Sequence, residues 1–166
     1  MTPSATPELS GRTTEDPLEF LDAAESSGRL IGIDGGTKTF GLALSDVTRT
    51  IASPLETIWR SKFKTDAARL LSLAAEHGVT GFVVGLPRNL DGTEGPRAQA
   101  TRALARNLNK LSPLPILLWD ERLTTAQAER MLVDADQTRK RRGEVIDKLA
   151  ATLILQNALD RFRRPA

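Results

Sequence analysis

The chain has 166 residues, enough for one domain built around a single three-layer core, and its 40% apolar and 27% charged composition is that of a soluble globular protein. It has no cysteine and one histidine, which excludes disulfides and thiolate zinc sites and argues against a His-based metal site or catalytic triad, so any metal is expected on oxygen ligands, favouring magnesium or manganese. Net charge is only +2 with a pI near 9.3, so overall charge says little about a polyanionic partner.

Residues 1–28 are rich in Pro, Ser, Thr, Asp and Glu and read as a disordered tail, apart from a short helix over Leu18–Ala24. The fold is expected to begin with Leu30-Ile31-Gly32-Ile33, a strand stopping at Asp34. Gly35-Gly36-Thr37-Lys38 forms a turn, with glycines available for positive φ, and Phe40–Leu44 a second strand. A third strand is expected around Thr50–Ile58, interrupted near Pro54. Apolar residues at 63, 67, 70, 71 and 74 predict a helix over Phe63–Glu76, ended by His77-Gly78. Phe82–Leu86 is a buried strand, Pro87–Gly95 a loop, and Pro96 opens a helix. Pro115–Trp119 is another strand. Thr124-Thr125-Ala126-Gln127 resembles a capping box for a helix to Val133, a basic loop follows, and the last helix spans Gly143–Arg161. The order predicts an α/β fold: a mixed five-stranded sheet, three antiparallel leading strands and then parallel ones, with helices on both faces. No apolar run approaches the ~20 residues of a membrane span, and the N-terminus lacks the pattern of a secretory signal. A cytoplasmic protein without a membrane partner is expected.

Ligands gather at the carboxyl ends of parallel strands in such sheets. Asp34 ends the first strand and Asp120-Glu121 the last. Asp147 heads a small apolar helical face of Ala150, Ala151, Ile154 and Ala158, where an unpaired carboxylate would be costly and a shared divalent cation would remove the cost. Each acid taken separately is better read as a turn, cap or helix-dipole residue; the joint arrangement is what points to a metal. Asp120 and Glu121 compete for the inner position, since neighbouring strand residues face opposite ways. Glu121 has the longer reach, and Gly85 on the strand between would leave it room.

Gly35-Gly36-Thr37-Lys38 could cradle a phosphate, with Lys38 as a point charge. The loop from Pro87 to Glu94 suits a substrate loop or a plain connection. His77 reads as a helix-end residue, and Trp59 and Trp119 as core or edge packing rather than base-stacking platforms. Two basic runs stand out: residues 139–142 and Arg161-Phe162-Arg163-Arg164.

The stretches Ile33–Lys38 with Gly41-Leu42-Ala43 and Ser45-Asp46, Gly85–Glu94, Asp120–Thr125, and Val145–Lys148 with Ala150-Ala151 and Ile154–Gln156 together resemble the YqgF (RuvX) family. The resemblance covers residues 29–162, taken as a single nuclease domain continuing to residue 166. It implies an RNase H-like fold related to RuvC resolvases, and a nuclease, a hydrolase of phosphodiester bonds, that processes the 5′ end of pre-16S ribosomal RNA during ribosome biogenesis. It carries the family's acids onto Asp34, Glu121 and Asp147 as catalytic and metal-binding residues for one or two Mg²⁺ or Mn²⁺ ions. Lys38, Arg88, Arg122, Arg139, Lys140, Arg141 and Arg142 are the candidates for neutralising substrate phosphates. Expected partners are ribosomal RNA precursor and ribosomal particles, the protein acting as a monomer or homodimer. RuvC-type resolvases carry an acid at the end of the fourth strand, where this chain has Gly85-Leu86. Thr39-Phe40 also departs from the family's basic-aliphatic pair. The rival readings are a DNA junction resolvase, a non-catalytic RNA- or ribosome-binding module, and an ATP-binding protein of the actin and sugar-kinase type, which would need a second such domain.

Overall fold

A computed structural model describes residues 12–123 and 139–164, with the backbone alone for residues 123 and 139–147. The elements in chain order are β1 (Thr13–Thr14), α1 (Pro17–Ala23), β2 (Arg29–Gly35), β3 (Thr39–Ser45), β4 (Ala52–Trp59), α2 (Phe63–His77), β5 (Val79–Leu86), α3 (Pro96–Asn109), β6 (Ile116–Asp120), a 3₁₀ turn (Glu121–Leu123) and α4 (Arg139–Phe162). The helix expected over Thr124–Val133 lies outside the described residues.

The sheet runs β1-β6-β5-β2-β3-β4. β2, β3 and β4 form the expected antiparallel meander, and β5 and β6 add in parallel beside β2. β4 carries its irregularity at the expected place: the ladder with β3 shifts between Leu42 and Ala43, opposite Glu56 and Pro54. The sixth strand is the difference. Thr13 and Thr14 pair in parallel with Ile116 and Leu117, and Asp16 caps α1 by accepting from the Leu18 N–H at 2.9 Å. Arg12–Gly28 is therefore ordered beyond the short helix that the sequence indicated. A polar composition hides one residue, Phe20, which is fully buried against the Gly81 position and stacks on Phe162 with ring centroids 5.8 Å apart.

The central strands are apolar at consecutive positions because both faces are covered. Ile31, Ile33, Phe82, Val84, Leu86, Ile116 and Leu118 pack beneath α2 and α3. Leu30, Val83, Leu117 and Trp119 pack beneath α4, which supplies Ala151, Ile154, Leu155, Ala158 and Leu159. α2 ends as expected: Gly78 takes the left-handed φ of 64° and its N–H returns to Ala74 and Ala75 carbonyls. The turn at Gly35-Gly36 does not use positive φ; it is closed instead by the Gly36 N–H donating to the Thr39 carbonyl at 2.8 Å. The basic run at 139–142, expected as a loop, opens α4. Lys and Arg are good helix formers, so the run extends the helix rather than interrupting it.

Candidate active site

Alternation along β2 decides where its acid goes. Ile31 and Ile33 belong to the α2–α3 core, which sends Leu30, Gly32 and Asp34 to the α4 face. Asp34 ends that strand only 1% exposed. On β5 the same alternation puts Gly85 on the α4 face. A β-carbon there would stand 2.6 Å from Ile154 Cδ1, 2.9 Å from Glu121 Oε2 and 3.2 Å from Glu121 Cγ. Glu121 leaves the end of β6 and lies across β5, the one strand between β6 and β2. Ile33 pairs with Val84, so the next rung of the ladder sets Asp34 beside Gly85. Two carboxylates thus share one face at the carboxyl ends of the strands, over a glycine floor.

Asp120 faces the other way. It accepts from Arg122 Nη2 at 2.7 Å and from Arg88 Nη1 at 3.3 Å. The Arg122 guanidinium holds its carboxyl below the usual range against the opposing effect of burial. The competition between Asp120 and Glu121 is decided by parity, since Leu118 and Asp120 share one face of β6 and Leu117 and Trp119 the other.

α4 runs antiparallel to β2. Its Ala151 carbonyl and Leu155 lie against Gly32, at 3.0 Å and 2.8 Å from where a β-carbon would sit, while Phe162 reaches Phe20 at the opposite end. Position 147 is one helical turn before Ala151, toward the carboxyl end of β2. The side chains of Asp147, Arg139, Lys140, Arg141 and Arg142 lie outside the described residues.

Lys38 sits exposed in the β2–β3 turn. Two arginines that no local spacing reveals flank it: Arg60 Nη1 donates to the Gly36 carbonyl at 2.6 Å and Arg97 Nη2 to the Gly35 carbonyl at 3.1 Å. Arg60 also lies over the Phe40 ring, 4.6 Å from its centroid. Arg88 is committed to carboxylates, with Glu15 at 2.6 Å and Glu94 at 3.1 Å besides Asp120. Arg102 joins the same cluster through Glu94 and Glu15 at 2.6 Å and 2.9 Å. Hydrogen bonds from Arg102, and then from Arg88, hold Glu94 down at about 2 despite some desolvation. The polar residues of the loop after β5 are largely turned on one another: Asp91 accepts from the Thr93 N–H at 2.9 Å and from its hydroxyl at 2.6 Å, and Asn89 donates to the Thr93 hydroxyl at 2.8 Å.

Residues 28–161 match the family described as RuvX, Holliday junction resolvase. The chain belongs to the RuvX family. A protein of Cereibacter sphaeroides named "Putative pre-16S rRNA nuclease" is 62% identical over 87% of this chain and 90% of its own length. One of Paracoccus denitrificans with the same name is 57% identical over 90% and 94%. Among solved structures, Thermus thermophilus RuvC matches with a TM-score of 0.50 at 16% identity, covering 80% of this chain and 95% of that one. That likeness is one of fold, and it agrees with the RNase H-like architecture expected for a RuvX chain.

The acids expected from the sequence fit a hard divalent cation by their chemistry. The described donors are carboxylate oxygens, and Gly85 keeps the floor beneath Glu121 clear of a side chain. Among the described residues no group of three His, Cys, Asp or Glu stands close enough to hold a metal, and the side chain of the third expected acid, Asp147, falls outside them. Glu15 and Arg102 escaped the sequence reading: Glu15 lies in a polar segment that carries no periodic signal, and Arg102 meets it only through the tertiary fold.

Proposed function

We propose that the protein is a metal-dependent nuclease that hydrolyses phosphodiester bonds in ribosomal RNA precursor, acting at the 5′ end of pre-16S RNA in the cytoplasm. The observation that carries this reading is the approach of Glu121 across Gly85 to the strand that ends in buried Asp34. The names of the RuvX relatives support the substrate. Asp34, Glu121 and Asp147 would hold one or two Mg²⁺ or Mn²⁺ ions. Such an ion, when bound, supplies Lewis-acid charge to the phosphate and lowers the pKa of water. The chain's own part is to orient: the strand end fixes Asp34, and Gly85 admits Glu121. Lys38, with Arg60 and Arg97 beside it and Arg139–Arg142 on the first turn of α4, neutralises the phosphate backbone. Arg88 and Arg122 hold Asp120 and its neighbouring carboxylates, so they shape that rim rather than adding net charge to it. Ribosomal particles are the setting in which such a precursor is met, with the protein as monomer or homodimer.

A DNA four-way junction is the second substrate class, favoured by the fold shared with Thermus RuvC. The test is cleavage of purified precursor RNA and of a DNA junction, side by side, with Mg²⁺ or Mn²⁺. Wild type is expected to cut the RNA, and Asp34→Asn, Glu121→Gln and Asp147→Asn to lose the cut while melting normally. Undiminished cleavage by Asp34→Asn would overturn the assignment.

A further inference from the structure

β1 is two residues long, so it covers β6 only at Ile116 and Leu117 and leaves the edge at Leu118–Asp120 open. A groove of about 520 Å³ lies there, between the start of α1, the end of β6 and the C-terminal turns of α4. Its walls include Glu15, Arg88, Trp119, Asn157, Arg161 and Arg164. Two of these are already engaged: Glu15 and Arg88 bind one another at 2.6 Å. The rest present unused chemistry. Trp119 is 7% exposed, yet its Nε1–H makes no hydrogen bond among the described residues. A buried indole donor ordinarily has an acceptor. Asn157 gives its Nδ2 to the Leu153 carbonyl at 2.8 Å, which leaves its Oδ1 as an acceptor. Arg161 and Arg164 make no side-chain ion pair among the described residues.

We propose that this groove binds one nucleotide of the substrate strand beside the scissile phosphodiester, with Trp119 and Asn157 meeting the base and Arg161 and Arg164 its phosphates. The inference rests on the nuclease reading above and adds a subsite and a strand path to it. Continuity comes from Gly85: it pairs in register with Trp119, and the Glu121 carboxylate lies over it. The Trp119 side of the groove therefore stands one strand from the acids, while Arg161 and Arg164 line it from the far end of α4. Its volume suits a single nucleotide unit rather than a duplex. The donor on Trp119 and the acceptor on Asn157 match the mixed donor–acceptor edge of an unpaired base, and single strands are held by such contacts together with a cationic track. The C-terminal basic run, which the acid site leaves without a task, becomes the end of that track.

The test is binding of a short fluorescein-labelled single-stranded RNA in EDTA, where metal-dependent cleavage is silent. Arg161→Gln/Arg164→Gln is expected to weaken binding about tenfold and to flatten the salt dependence by about 1.4 in log–log slope, the value for two lost phosphate contacts. Trp119→Phe keeps the packing and removes the donor, so affinity should fall several-fold with the salt slope unchanged. In a Trp59→Phe background Trp119 is the sole indole, and its emission should shift on saturation with RNA. If wild type binds and cleaves RNA while the arginine pair variant keeps wild-type affinity and slope and Trp119 emission stays put, the groove proposal fails and the nuclease reading stands. If wild type binds no RNA at all, both fail.

Discussion

The Glu121 carboxylate lies over Gly85, with Oε2 2.9 Å from the point where a β-carbon on that residue would be. Gly85→Ala should therefore displace the acid. Both near atoms, Glu121 Oε2 and Ile154 Cδ1, are ends of side chains, so the fold can yield at a cost of about 1–3 kcal/mol. Catalysis is less forgiving: a misplacement of about 1 Å costs about a hundredfold in rate. Thermal melting and cleavage assays on the variant should show a modest drop in Tm beside a large loss of activity.

Asp120 and Glu121 are neighbours with opposite duties, and a pair of amide substitutions separates them. Glu121→Gln should abolish metal-dependent cleavage with an unchanged Tm. Asp120→Asn should leave divalent-ion affinity intact, measured by calorimetry, and lose about 1 kcal/mol through weakened bonds to Arg122 and Arg88. Loss of metal binding in Asp120→Asn but not in Glu121→Gln would reverse the roles.

Two carboxyls have folded-state values of about 2: Glu94, held chiefly by Arg102, and Asp46, held chiefly by the Ile51 N–H with help from Thr48 and Thr50. Their ordinary values are 4.5 and 3.8. The folded state therefore binds fewer protons than the unfolded one across that window, and stability rises with pH there. The contribution is complete above pH 4.5 and is lost as pH falls toward about 2. A Tm series over this range should slope downward with acid, and Glu94→Gln should flatten part of the slope.

Phe20 is fully buried and stacked on Phe162. Phe20→Ala should cost about 3–5 kcal/mol, as for other large core truncations. Denaturant melts of this variant measure how firmly the N-terminal segment is docked; a change below about 1 kcal/mol would mean that the segment adds little to the fold.

Much of this molecule can be read from its residues because the signals are local. Phe82–Leu86 reads as a strand from its unbroken apolar run, α2 from its helical spacing and Gly78, and the meander from its position before any helix. Gly85 and Glu121 could be paired in advance because strand parity and side-chain length are properties of the sequence. What escaped was tertiary. Thr13-Thr14 is a strand only because β6 offers it an edge, and Phe20 is core only because Gly81 makes room. The Glu15–Arg88–Glu94–Arg102 cluster joins three stretches of chain, the N-terminal segment, the loop after β5 and α3, that share no periodicity. Arg88 looked like a free cation because its three carboxylates are six, 32 and 73 residues away.

α4 is an unbroken rod of 24 residues, about 36 Å long, seated against Gly32 so closely that no side chain could be inserted beneath it. Seated in this way, and clamped to the strands through Ala151, Ile154, Leu155, Ala158 and Leu159, it is a strut. One end is bolted to Phe20 of the N-terminal segment, and the other carries position 147 and the basic turn toward the carboxyl ends of the strands. A single rigid element thus spans from the seat of the N-terminal segment to the end of the sheet where Asp34 and Glu121 lie.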